Sequence, residues 1–152
     1  MSDVQIPAGS ATLDGNLTTV DQTKAFVLFA HGSGSSRHSP RNQFVARTLN
    51  EAGLATLLFD LLTPEEVGAV VSRGGRPDLA GQALPKVKAP TLLIVGGEDH
   101  VVIELNEQAR AQMKCECKIE IVPGATHLFE EPGALEEVAK LASDCFVKHI
   151  GG

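Results

Sequence analysis

The chain has no tryptophan, no tyrosine and only six phenylalanines among its 152 residues. So thin an aromatic supply leaves little with which to stack bases or sugars, which disfavours single-stranded nucleic acid as a partner. Positive charge is short as well: 13 lysines and arginines face 19 acidic residues, for a formal net charge of −6. That balance works against phosphate backbones and anionic membranes alike. Cysteine is scarce, and its three copies (Cys115, Cys117 and Cys145) make an odd count. Cys115-x-Cys117 lacks a second pair to complete a zinc site, so no metal and no cofactor is implied. The thiols are expected reduced, in a cytoplasmic protein. Residues 1–7 carry no basic and apolar leader, and no apolar run approaches membrane-spanning length.

What is present is an ordinary soluble composition, 43% apolar and 21% charged, long enough for one domain over 1–152 with a real core. Alternation around Asp14-Gly15-Asn16 predicts a short N-terminal hairpin at a sheet edge. From Ala25 onward apolar runs alternate with helical patterns, the signature of βα units around a parallel sheet. Ser39-Pro40 gives a cap and a first-turn proline. Phe44, Val45, Thr48, Leu49 and Ala52 then repeat at helical spacing until Gly53. Leu54 to Phe59 reads as a second buried strand, and Val101 to Met113 as a helix. Leu135, Val138, Ala139, Ala142, Cys145 and Phe146 mark one face of a closing helix, begun by Glu130-Glu131-Pro132, with His149 meeting its C-terminal dipole.

Three apolar runs end in residues suited to chemistry. Ala25–Ala30 leads into His31-Gly32-Ser33-Gly34-Ser35-Ser36, and Thr91–Val95 into Gly96-Gly97-Glu98-Asp99-His100. Lys118–Val122 leads into Pro123-Gly124-Ala125-Thr126-His127. An oxyanion loop, an acid and a base in this order resemble the dienelactone-hydrolase-like α/β-hydrolases. The similarity runs from about Ala25 to the end. It implies a minimal α/β-hydrolase-like three-layer sandwich, with about four parallel strands plus the N-terminal hairpin. It also implies an esterase acting on a small carboxylic ester or acid.

One part of that family's equipment is missing. No serine or cysteine stands in a G-x-S-x-G turn, and Asp60–Glu66 runs straight into Val67-Gly68-Ala69-Val70-Val71 where the family places its nucleophile elbow. The connection after Phe59 is too short for a crossover to a parallel neighbour. Thr63-Pro64-Glu65-Glu66 has the form of a capping box, so a helix is predicted from about Pro64 to Arg73. A four-stranded sheet in flavodoxin-like order follows, its switch point between the His31 and Asp99 strands. The competing outcome keeps Val67–Val71 as a strand within a domain-swapped homodimer.

The inferred rim gathers His31, Ser33, Ser35, His38, Asp99, His100 and His127. His127 suits a general base and Asp99 its orienting acid. Equally, Asp99 would cap the helix that follows, and His127 would be a loop histidine. His31-Gly32-Ser33-Gly34 offers backbone N–H groups to an oxyanion. Ser33 or Ser35 would replace the missing nucleophile, with Ser72 a third candidate if its segment is a strand. Opposed to an esterase is a catalytically inactive remnant of the same fold that binds a small ligand or self-assembles.

Overall fold

The structure is a computed structural model and describes residues 1–8, 11–23, 25–30, 37–59 and 67–150. The chain forms two compact units, Met1–Glu65 with Phe146–Gly152, and Glu66–Cys145.

In the first unit β1 (Ser2–Ala8) and β2 (Ala11–Thr18) pair antiparallel. β3 (Phe26–Ala30) and β4 (Ala55–Phe59) pair parallel, in the sheet order β1-β2-β4-β3. The hairpin therefore exists, but its turn is not at Asp14-Gly15-Asn16. Those residues run straight through β2, opposite β1 on one side and β4 on the other. Pairing along both edges outweighs the turn preference, and Asn16 is buried with its amide donating to Asp3 Oδ1 at 2.6 Å. The two strands pair out to Ala8 and Ala11, and residues 9–10 lie outside the described residues.

α1 (Pro40–Glu51) starts after Ser39 with proline in its first turn, as its sequence predicts. It turns Asn42, Val45, Ala46 and Leu49 inward and packs on β4. Asn50 Nδ2 donates to the Leu54 carbonyl at 2.9 Å and to Thr56 Oγ1 at 3.2 Å, tying the helix end to the strand it feeds.

The second unit is built on β5 (Val70–Arg73), β6 (Thr91–Gly96) and β7 (Cys117–Val122), all parallel, with β6 in the middle. All six residues of β6 are buried, as expected of a strand covered on both faces. Leu92 and Ile94 join Val122, Ala125, Phe129, Ala134 and Val138 in one apolar cluster, the last two from α3 (Ala134–Ile150). Leu93 and Val95 are buried on the alternate face. α2 (His100–Gln112) packs on β6, β7 and the 3₁₀ segment Pro77–Lys86.

Two expectations are corrected here. The helix predicted over Pro64–Arg73 is a strand at Val70–Arg73, while residues 60–66 lie outside the described residues. The short connection after Phe59 limits pairing with β4 only, and β5 pairs instead with β6, which follows it through the Pro77–Lys86 segment. Five strands thus make parallel pairs among the described residues, and β5 finds its partner within its own chain. The flavodoxin-like order also fails, because β6 is flanked by β5 and β7, while β3 pairs with β4. The hydrolase-like α/β architecture itself stands. Among the described residues no helix is long and apolar enough to cross a membrane.

Candidate functional site

The C-terminal tips of β6 and β7 are laced together by their own backbones. Beyond β6, the amide of Gly97 donates to the Val122 carbonyl at 2.9 Å and that of Glu98 to the Ala125 carbonyl at 3.0 Å. Asp99 N–H closes back on the Gly96 carbonyl at 3.0 Å. Gly96 permits this: a Cβ there would run into the carbonyl oxygens of Ala125 and Thr126, both backbone atoms that cannot step aside. The two loops are therefore in contact through main chain, and the side chains they carry come to fixed places.

Those side chains are Asp99 and His127. His127 Nδ1 lies 2.7 Å from Asp99 Oδ2, with the imidazole 55% exposed and the carboxylate 18%. An ionised carboxylate can only accept, so this contact puts the proton on Nδ1 and leaves Nε2 as the basic nitrogen. Among the described residues Nε2 makes no hydrogen bond.

Asp99 also stands at the N-cap position of α2, yet its side chain makes no capping bond. Its main-chain carbonyl accepts from the Ile103 amide at 2.9 Å, so the backbone starts the helix while the carboxylate turns to the histidine. In this geometry the carboxylate faces the imidazole and not the helix start.

The His127 loop has a brace the sequence reading missed. Thr126 Oγ1 donates to Glu131 Oε1 at 2.6 Å, and this bond holds the Glu131 carboxyl below its ordinary value. Glu130-Glu131-Pro132 therefore precede the last helix, which begins at Ala134, instead of opening it. Between them Phe129 takes a left-handed φ of 55° with its ring buried, a conformation that packing has to enforce. The only hint in the sequence was a hydroxyl five residues before a carboxylate, a spacing with no fixed motif.

Ser72 is on a strand, the condition for its candidacy. Its hydroxyl, however, is turned onto Gly75, whose carbonyl accepts from Asn106 Nδ2 at 3.1 Å, and no hydrogen bond joins it to His127. Two residues on, at Gly74, a Cβ would stand 3.1 Å from the His127 carbonyl oxygen and 3.8 Å from its Cε1, so only glycine leaves that side of the histidine open. His100 is exposed at the first position of α2, and His38 is exposed in the other unit. His31, Gly32, Ser33, Gly34 and Ser35, the expected oxyanion loop and replacement nucleophiles, lie outside the described residues.

Comparison with known proteins agrees with this fold. The model of the dienelactone hydrolase family matches residues 52–150. A dienelactone hydrolase structure from Anabaena variabilis is 42% identical, with a TM-score of 0.93 over 98% of this chain and 97% of its own. Est1E of Butyrivibrio proteoclasticus, at 15% identity and a TM-score of 0.77 over the whole of both chains, shares the fold. Two Mycobacterium tuberculosis proteins that carry the name phosphoribosyl transferase are 46% identical over 207 aligned positions. That match takes in 99% of this chain and 47% of theirs, so the chain spans about half the length of the curated relatives it matches. An alignment of 207 positions cannot be filled by 152 residues, and the surplus of about 55 is sequence the relatives have and this chain lacks.

Proposed function

The chain belongs to the dienelactone hydrolase family, and from that premise we propose that it hydrolyses small carboxylic esters with His127 as general base and Asp99 as its orienting acid. The observation that carries the reading is the 2.7 Å contact between Nδ1 and Oδ2 at adjacent strand tips. In the step proposed, Nε2 takes the proton of the attacking O–H as its oxygen bonds to the ester carbon. Asp99 stabilises the imidazolium so formed. Collapse of the tetrahedral species breaks the bond to the alcohol oxygen, which recovers the proton from Nε2; a water attacker leaves the free acid at once, whereas a serine attacker leaves an acyl-serine that water cleaves by the same proton transfers. Asp99 does not itself take the proton.

The attacking oxygen is identified by experiment. Purified protein is given short-chain p-nitrophenyl esters and, separately, a serine-directed phosphonate followed by mass mapping. An adduct at Ser33 or Ser35, lost in His127→Ala, makes a relocated serine the nucleophile; turnover without an adduct makes it water. In either case His127→Ala lowers turnover by about 10²–10⁴-fold, the range general-base catalysis supplies. Unchanged turnover in that variant rejects the reading. The lack of a G-x-S-x-G turn favours a second reading, in which the same imidazole binds a small carboxylate without turnover. No hydrolysis, together with carboxylate binding lost in His127→Ala, would select it. The transferase activity named for the longer curated relatives we assign to the half of those proteins that this chain does not span.

A further inference from the structure

Two thiols share one face of the second sheet, at the opposite end of β6 and β7 from the Asp99–His127 pair. Cys117 opens β7 in register with Thr91, the first residue of β6. Side chains paired across neighbouring strands leave the sheet on the same side. Cys115 stands two residues earlier, and the pairing already reaches back toward it, since the Thr91 amide donates to the Glu116 carbonyl at 2.8 Å. Its Sγ lies 3.9 Å from Thr91 Oγ1. One threonine thus fixes the side of both sulfurs. Both are free thiols of intermediate exposure, about 20 Å, one strand length, from the histidine end.

The spacing selects what such a pair can hold. Cys115 stands at a bend just before β7, and Cα atoms two residues apart are at most about 7 Å apart, which keeps both sulfurs within reach of one ion. A disulfide would have to bring the sulfurs to about 2.05 Å of each other. A metal ion asks less, since two bonds of about 2.3 Å let the sulfurs stay up to about 4.6 Å apart. Zinc wants four donors, and among the described residues no group of three or more histidines, cysteines or carboxylates converges. Two soft donors without a third suit a low-coordinate, soft d¹⁰ cation.

We propose that Cys115 and Cys117 form a two-thiolate site for a soft monovalent d¹⁰ cation, copper(I) being the ion that fits. On binding, each thiol releases its proton to solvent, two Cu–S bonds form, and copper remains monovalent, so no electron is transferred.

The reduced full chain, held without oxygen, is titrated with copper(I) against a chromophoric copper(I) chelator. One ion per chain is expected. Cys115→Ser and Cys117→Ser should each weaken binding by more than the ~10–100-fold that a merely supporting residue costs, while Cys145→Ser leaves it unchanged. In the unaltered chain, bound copper should shield residues 115 and 117 from alkylation and leave 145 reactive, and X-ray absorption should find two sulfur neighbours per copper. Full affinity in either serine variant at 115 or 117, dependence on Cys145, one ion per two chains, or no shielding would each overturn the site.

Discussion

At Gly96 a single hydrogen atom decides whether the acid and the base meet. The carbonyl oxygen of Thr126 lies 2.6 Å from where a Cβ would stand, and that of Ala125 crowds the same point. Gly96→Ala should cost about 1–3 kcal/mol by overpacking against rigid backbone, lowering Tm by about 2–4 °C per kcal/mol for a chain of this size. Ester turnover should fall with it as the His127 loop is pushed off Asp99. Gly97→Ala is the matched control, because its nearest neighbours stand at 3.2–3.4 Å and need give only slightly; thermal melts of the two variants side by side check the difference. Asp99→Asn should keep the fold and lose most of the activity, since an amide no longer stabilises the imidazolium or fixes its tautomer. Both members of the pair were legible in the sequence because strand-end loops are where such groups collect. Gly96 was visible only as part of a glycine pair, since nothing local announces a carbonyl arriving from thirty residues downstream.

Among the elements, those with a regular period were readable and those decided by a distant partner were not. α1, α2 and β4 appear within a residue or two of their predicted bounds, because each writes its buried face into its own spacing. β5 could not be read this way: a capping-box pattern just before it argued for a helix, and its partner β6 comes later in the chain. Hydrogen exchange separates the two forms, with slow amides expected at Val70 and Gly74, which donate to Pro90 and Ile94 carbonyls at 2.8 Å. Fast exchange at both would reject the strand. The Thr126–Glu131 brace makes a prediction in pH. Thr126 bonds the ionised Glu131 and lowers its pKa from 4.5, so its contribution is complete above that value and fades as pH falls through the lowered one. Urea unfolding should find Thr126→Val less stable than the parent at pH 7, with the gap closing as the pH falls below the ordinary glutamate range.

For the whole molecule, an absence proved as legible as any motif. The missing elbow could be read from the lack of one turn and one crossover, and the surplus of 207 aligned positions over 152 residues is its counterpart in the relatives. The sheet order could not be read, since pairing order is a property of long-range contacts that no local window contains. Net charge acts at this scale too. At neutral pH the −6 of formal charge makes copies repel one another, and light scattering should rise as the pH approaches the isoelectric value of about 5.3. No rise across that range would show that surface charge does not govern self-association.

Asp99 occupies a helix start without serving it, and that refusal has a thermodynamic consequence. A carboxylate capping α2 would be worth about 0.5–2 kcal/mol, comparable to the hydrogen bond that it makes to the imidazole instead. The carboxylate thus stands between two competing partners, and its bond to the imidazole is taken at the expense of the helix start. Replacing His127 with alanine frees that carboxylate to swing onto the helix, so the disabled variant should melt no lower than the parent.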